Sequence, residues 1–319
     1  MRAAVTTRYG PPEVVEVREV EPPPLRPDGV LVRVRSTTVN RTDCGFRAAK
    51  PFVIRLFAGL RRPRHPVLGC EFAGVVEAVG DTVTRFQVGD SVFGYDDARF
   101  GGHAELVSVA EDSPLATVPD GVSFDEAAAG TEGSHYALSG IRKVKVRSGD
   151  DVLVHGATGA IGSAAVQLLK AIGAQVTATS TTAQLDMVRE LGADRVIDHT
   201  AVDFTQDAGR YDLVIDAVGK STFGECRRVM KPRGAYLSSD LGPFLQNPLL
   251  ALVTPRLPGR SVRFPIPTMN QAIVLYLREL MTTRAFRPVL DRTYPLDEIV
   301  DAYRYVETGQ KVGNVLIHP

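Results

Sequence analysis

The stretch HGATGAIGSAAVQLLKAIGA, residues 155–174, restricts the fold of this chain more than any other. Gly156, Gly159 and Gly162 recur at every third position between an apolar run, DDVLVHG, and a helical one. A strand that turns directly into a helix leaves the first N–H groups of the helix without partners, and they carry partial positive charge. An anion is the natural ligand there, and glycines let the backbone turn sharply and approach it with no Cβ in the way. Gly159 and Gly162 fit the second and third glycines of the dinucleotide fingerprint. Ala157 stands where the first would be, with Gly156 just before it. Thr158, Ala160 and Ile161 complete the loop expected around a pyrophosphate. A purely structural turn is the alternative. The strand before, the helix after and the further βα units behind favour the dinucleotide.

Those units follow from periodicity. IGSAAVQLLKAIG places Ile161, Ala165, Leu168, Leu169 and Ile172 on one helical face, and Gly173 ends the helix. AQVTATS, DRVIDH, YDLVIDAVG and RGAYLSSD read as strands with helical segments between them. Alternation at this spacing predicts an α/β fold, a doubly wound parallel sheet covered on both faces. Gly219, Ser238 and Ser239 fall at carboxyl ends of its strands, which face the ligand crevice in such a sheet. Residues 1–118 read differently, as short period-two strands between Gly and Pro turns, and predict an all-β unit, a partly closed barrel. Late helices in MNQAIVLYLRELMTTRA and LDEIVDAYRYVETG and a closing strand in VGNVLIHP follow. The expected division is 119–274 for the nucleotide-binding domain and 1–118 with 275–319 for the other.

Charge excludes some partners. Lys+Arg and Asp+Glu both number 37, so nothing in the net charge points to nucleic acid. Three cysteines, Cys44, Cys70 and Cys226, make no disulfide framework, and a reducing cytoplasm is the expectation. MRAAVTTRYGPP has no secretion-signal character. The greasiest segment, 241–259, is cut by four prolines and falls short of the roughly twenty apolar residues of a membrane span.

The second strand of the nucleotide domain bears on which coenzyme is used. An NAD site carries an acid at that strand's end to hold the ribose 2′-hydroxyl. Here Ser180, Thr181 and Thr182 occupy the place, and the next acid, Asp186, lies inside the following helix. NADP(H) is therefore expected over NAD(H).

In these motifs the chain resembles the medium-chain dehydrogenase/reductase superfamily, in its zinc-independent quinone oxidoreductase and enoyl-reductase branch. LGCEFAGVVEAVGDTVTRFQVGDSVFG (68–94), GATGAIG, DAVG (216–219) and GNVLI (313–317) carry the resemblance over nearly the whole length. It implies a GroES-like barrel built from both ends of the chain, a Rossmann domain between, and an active site in the cleft. It also implies NADPH-dependent hydride transfer to quinones or α,β-unsaturated carbonyls, with Val218 and Asn314 in the coenzyme motifs. Thr131 and Tyr136, in GTEGSHYAL, would lie at the helix start that approaches the nicotinamide. Gln184 and His199 stand where related quinone reductases have a Lys and a Tyr on the 2′-phosphate, and Gly45 where some carry a Tyr.

Zinc alcohol dehydrogenases of the superfamily have Cys and His at the positions of Asn40 and Cys70, and a further Cys near 129, where this chain reads AAAGT. One thiol cannot hold a catalytic zinc, which takes three protein ligands, so no metal is expected. Reduction of an enone builds negative charge on its carbonyl oxygen, which needs positioned donors. Asn40 is the candidate donor, with Arg41 and Thr42 flanking the coenzyme phosphate or ribose. An ordinary loop asparagine is the other reading of VNRTD. Tyr95, His103 and His135 could protonate the α-carbon, as could water.

The segment 46–69, FRAAKPFVIRLFAGLRRPRHPVLG, mixes Phe, Ile and Leu with six basic residues. Three readings are open: a lid whose Phe46, Phe52 or Phe57 touches an apolar substrate, a membrane-surface contact, or a surface helix with solvated arginines. Phe46, Phe57, Tyr95 and Tyr136 are the candidate substrate contacts. The chain as a whole is expected to have a small-molecule carbonyl or quinone substrate and no nucleic-acid or membrane partner. GRSVRFPIP (259–267) reads as the last strand of the nucleotide domain, which in this superfamily often pairs with a second copy, so a homodimer is expected by resemblance. Within enzymes, an enoyl-thioester reductase using the arginines of 47–64 for a carrier's phosphates is the alternative; outside them, an NADP(H)-binding regulatory protein.

Overall fold

Valine, serine and threonine alternate with arginine through residues 29–39, and there the chain extends into its longest strand. The computed structural model describes residues 1–207 and 210–319. It divides into two units, residues 1–132 with 269–319, and residues 133–268.

The first unit opens with β1 (Arg2–Thr6), β2 (Val15–Glu19) and β3 (Gly29–Val39). Helices α1 (Arg41–Ala48) and α2 (Ile54–Ala58) follow, then β4 (Glu71–Val79), β5 (Ser91–Tyr95), β6 (Leu106–Ala110), β7 (Leu115–Thr117) and α3 (Phe124–Ala129). Helix α4 (Glu132–Val144) begins at the last residue before the second unit. That unit contains β8 (Asp151–His155), α5 (Ala160–Ile172), β9 (Gln175–Ser180), α6 (Leu185–Glu190) and β10 (Arg195–Asp198). It continues through β11 (Tyr211–Asp216), α7 (Phe223–Cys226), β12 (Met230–Ser238), α8 (Gln246–Val253) and β13 (Ser261–Arg263). The chain returns to the first unit with α9 (Gln271–Thr282), β14 (Leu290–Pro295), α10 (Ile299–Glu307) and β15 (Asn314–His318).

In the first unit β1 and β2 form an antiparallel pair, and a larger sheet runs β14-β15-β3-β4-β5-β7 with β6 also on β3. One half of β3, Gly29–Arg33, pairs with β6, and the other, Thr37–Val39, with β15. A long strand shared in this way curls the sheet without closing it. Val30, Val32, Val34, Phe72, Val92 and Leu115 fill one side. Ile299, Ala302, Tyr303 and Val306, spaced as one helical face, lay α10 over Val39, Val315 and Ile317. The expected all-β character of 1–118 is corrected: α1 and α2 lie inside it. Against the expected division at 119 and 274, the second unit runs from 133 to 268: α3 packs on β3 and β4 and so belongs to the first unit, and residues 269–274 go with the first unit as well.

The second unit is a six-stranded parallel sheet in the order β10-β9-β8-β11-β12-β13. Counted within the unit, this is the doubly wound order 3-2-1-4-5-6, whose reversal between β8 and β11 opens a crevice at the strand ends. The expected single buried face of α5 is corrected as well. Every residue from Gly162 to Leu169 is buried, Ser163 and Gln167 included, whereas Ile161 and Ile172 are only half-buried. Gln167 Nε2 donates to the Ser163 carbonyl at 3.1 Å, which lets a polar side chain sit there. No helix among the described residues is long and apolar enough to cross a membrane.

Candidate active site

The three glycines of the turn do three different things. Gly156 has φ +83°, and a Cβ on it would stand 2.4 Å from Val218 Cγ1. Gly162, inside α5, lies so close to the turn that a Cβ would meet the Gly156 carbonyl oxygen at 2.0 Å. Gly159 is the N-cap of α5 with an ordinary φ of −77°, and a Cβ there would meet nothing within 4 Å. Neither backbone strain nor packing demands glycine at 159. The open space beside it, at a helix start whose N-cap brings no side-chain bond, is what a diphosphate occupies. The residues present fit a dinucleotide.

Neighbouring turns frame this space. Thr179 Oγ1 accepts from Gly156 N at 3.0 Å, and the Thr179 carbonyl accepts from Ala157 N at 3.0 Å. The Asp216 carboxylate at the end of β11 accepts from the backbone N of Val218, Gly219 and Ser221 and from the hydroxyls of Ser221 and Tyr236. That knot shapes DAVG, with Gly219 at φ +67°. Asp216 escaped the sequence reading as an individual residue, although an acid at a strand end before a glycine turn is a usable signal. Ser238 is buried and accepts from Asp240 N at 3.2 Å, while Ser239 is half-exposed.

At the end of β9, Ser180 donates to the Thr181 carbonyl, and Thr181 donates to Gln184. His199, exposed, follows β10. Beside them stands an acid that the sequence reading passed over. Asp198 pairs with Ser180 across β9 and β10, and its carboxylate accepts from Thr182 Oγ1 at 2.5 Å and Thr200 Oγ1 at 2.5 Å. Those hydroxyls hold its pKa below the usual carboxylate range. The expectation of an acid-free ribose end rested on one strand only, and the parallel register supplies the acid from the next.

In the first unit the candidates gather around a buried charge cluster. Glu71 on β4 accepts from Thr131 Oγ1 and from Glu132 N, each at 2.7 Å, and from the Thr38 hydroxyl. Thr42 hydrogen-bonds the Glu132 carboxyl, and Lys311 is buried beside both acids. Burial first, then the Glu71 charge, raises Glu132 to about 8; burial raises Glu71 and lowers Lys311. Glu71 receives three donors, so Glu132 is the acid that keeps its proton. Thr131 and Thr42 therefore spend hydroxyl bonds inside the protein. Glu71, Glu132 and Lys311 were missed; an acid between small and apolar residues in GCEFAG was the available sign.

Asn40 is 2% exposed and caps α1, its Oδ1 accepting from Asp43 N at 3.0 Å while Nδ2 faces Cys70 Sγ at 3.1 Å. Asp43 closes the capping box and also accepts from Gly69 N; burial raises it to about 7. Its 3.9 Å approach to His103 is not an ion pair, because burial lowers His103 to about 4. His103 bonds the Thr38 carbonyl at 2.7 Å and is structural. Arg41 is exposed at the first turn of α1. Asn314 donates through Nδ2 and its backbone N to the Val289 carbonyl, which ties down the start of β15.

A cavity of about 120 Å³ in this unit is lined by Thr6, Phe46, Arg47, Phe57, Leu68 and Phe100, among others. An apolar cavity of roughly 150 Å³ takes a benzene ring. Phe46 packs against Phe100 with ring centres 4.8 Å apart and the rings tilted by 57°. Tyr95 lies behind this wall, buried with Leu68, Cys70 and Phe100, and Tyr136 belongs to the second unit. Arg47 is wholly buried, bonded to the Gly10 carbonyl and Glu307 and stacked on Tyr303, so it is not open to a carrier's phosphate. Its Nε–H has no partner among the described residues. No group of three or more His, Cys, Asp or Glu among the described residues could hold a metal.

Two outcomes follow. Gly162→Ala forces a backbone shift and should lower the melting temperature by about 4 °C or more. Gly159→Val should leave melting nearly unchanged yet weaken coenzyme binding in calorimetry; unchanged affinity would show that the space at 159 holds no phosphate. Glu132 supplies the second. Between about 4.5, its ordinary value, and about 8, the folded chain holds a proton that the unfolded chain has released. Stability therefore falls as pH rises through that window. Glu132→Gln should flatten that fall in melting curves; equal slopes in both proteins would refute the protonated Glu132.

Comparison with known proteins places this geometry. The family description "Alcohol dehydrogenase GroES-like domain" matches residues 26–120, and "Zinc-binding dehydrogenase" matches residues 191–317. A 2-methylene-furan-3-one reductase of Solanum lycopersicum is 33% identical over 100% of this chain and 79% of its own length. An NADPH-dependent alkenal/one oxidoreductase, chloroplastic, of Arabidopsis thaliana is 30% identical over 100% and 80%. Among solved structures, the quinone oxidoreductase of Coxiella burnetii superposes with a TM-score of 0.88 at 25% identity, covering 100% of this chain and 99% of that one. The glycine turn, the doubly wound sheet and these relatives together make the chain an oxidoreductase of the medium-chain dehydrogenase/reductase superfamily, in its quinone oxidoreductase-like branch.

Proposed function

We propose that this protein is an NADPH-dependent reductase that delivers hydride to a quinone or an α,β-unsaturated carbonyl without zinc. The open space at Gly159 carries the reading, since neither strain nor packing asks for glycine there and an anion lying against the helix start would. A nicotinamide coenzyme held at that turn supplies a hydride from its ring. The turn from Gly156 to Gly162 binds the diphosphate, and Val218, Gly219, Ser238 and Ser239 line the strand ends beyond it. Ser180, Thr181, Gln184 and His199 are assigned to the 2′-phosphate. Asp198 works against that phosphate, but two hydroxyls already occupy its carboxylate. The names of the relatives, an enone reductase and an NADPH-dependent alkenal/one oxidoreductase, support the same substrate class and coenzyme.

The cavity suits a small flat ring, since Phe46, Phe57, Leu68 and Phe100 give it apolar walls. Asn40 is assigned as a donor to the oxygen on which charge develops, through the amide that now faces a weak sulfur acceptor. Cys70 alone offers no zinc site.

Loss of absorbance at 340 nm with NADPH and a panel of quinones, enones and an acyl thioester tests the reading. Turnover of a simple quinone or enone is expected; turnover of the thioester alone, or binding with no turnover, refutes it, as does tighter binding of NADH than of NADPH. Asn40→Ser keeps an oxygen to cap α1 and removes the amide. It should cut kcat/KM about a hundredfold with little change in melting, and unchanged turnover would remove Asn40 from the mechanism. We also assign β13 to pairing with a second copy: among the described residues it has a neighbour only in β12, and Phe244, Leu249, Leu252 and Val253 are exposed in the same unit. Light scattering should give a mass of two chains, and a monomer would refute that pairing.

A further inference from the structure

The segment from Lys50 to Arg64 is built inside out. Phe52, Val53, Leu56, Phe57 and Leu60 follow the spacing of one helical face, and all are exposed, Phe57 by 71% and Phe52 by 68%. The inward positions are taken by Ala58 and Gly59, both buried, and by Ile54 and Arg55, both half-buried. The Arg55 guanidinium lies 4.9 Å over the Tyr9 ring and 5.4 Å over Phe52, and Tyr9 hydroxyl donates to the Gly59 carbonyl at 2.6 Å. Tyr9 thus holds the segment from the inner side through Arg55 and Gly59, and its large apolar side chains, Ile54 apart, are turned out. A face that serves only to meet water has the opposite arrangement.

Charge identifies what that face meets. Between Asp43 and Glu71 the chain has no acidic residue, in a molecule whose charges otherwise balance. Lys50, Arg61, Arg62 and Arg64 are exposed beside the apolar face. Apolar side chains ringed by exposed cations, with no acid among them, match an anionic bilayer, with headgroups for the cations and acyl chains for the rings. Asp97, which lines the cavity with Phe57 and His65, comes from another part of the chain.

We propose that residues 50–64 dock the protein on an anionic lipid surface. Of the three readings open from sequence, the outward apolar face selects this one. The proposal goes beyond the reductase reading and does not depend on turnover. Because Phe57 and Ala58 also line the cavity, docking would bring one wall of it to the lipid.

Co-sedimentation of the full chain with vesicles tests it, using phosphatidylcholine alone and phosphatidylcholine mixed equally with phosphatidylglycerol. The protein should pellet with the anionic vesicles and not the neutral ones. Arg61→Gln/Arg62→Gln should weaken binding about tenfold or more, and Phe52→Ser/Leu56→Ser should abolish it, with the melting temperatures of both variants near that of the parent. Parent protein left in the supernatant with anionic vesicles overturns the proposal. So does binding that survives Phe52→Ser/Leu56→Ser, which would be electrostatic adhesion without insertion. Self-association without lipid that this serine pair abolishes would make the face a contact between copies. Tight binding of coenzyme A that Arg61→Gln/Arg62→Gln removes, without vesicle binding, would make it a phosphate site. Either result overturns the lipid assignment.

Discussion

The closest constraint in the second unit is the approach of α5 to the turn that follows β8. Gly162 lies where any side chain would run into the Gly156 carbonyl, and this contact brings the start of α5 against the end of β8. Once the two are locked, the first N–H groups of the helix must point into the crevice where the strand order reverses. Thr179 and Asp216 then satisfy the backbone of the adjoining turns. Gly159, which neither strain nor packing constrains, is left facing open space. The opening at Gly159 is thus a by-product of tight helix–sheet packing at one point, and what borders it is the start of a helix with no side-chain cap.

The first unit concentrates its cost elsewhere, in buried charge. Two carboxyls and an amine sit together at Glu71, Glu132 and Lys311, a combination that is expensive unless protons and hydrogen bonds compensate it. Three donors to Glu71 and a retained proton on Glu132 do so. The same economy explains Asn40. Its carbonyl closes a capping box with Asp43, its amide faces Cys70, and one residue both ends β3 and begins α1. A residue placed so firmly is well suited to present a donor without reorganisation, which is what electrostatic stabilisation of a developing charge requires.

Within the first unit, the segment 50–64 obeys a different rule. Its large apolar residues other than Ile54 are exposed, and its one inward guanidinium lies over two aromatic rings. Conventional packing elsewhere in the unit, with α10 laid on β3 and β15, shows that the chain buries helical apolar faces where they serve the fold. Here it does not.

Sequence alone determined the architecture of the second unit, because strand and helix periods are local and the glycine spacing marks one βα junction without knowledge of the rest. It also marked the residues of that junction, since Gly156, Gly159 and Gly162 differ from their neighbours in what the backbone can do. It did not reveal Asp198 beside Thr182, the three donors on Glu71, the burial of Arg47, or Asn40 as a cap facing Cys70. Each of these joins residues through strand register or through contacts far apart in the chain, and no local period encodes them. Tertiary structure likewise decided the fate of 46–69: an amphipathic pattern says that a segment has two faces, but only the packing of Tyr9 against Arg55 settles which face looks outward.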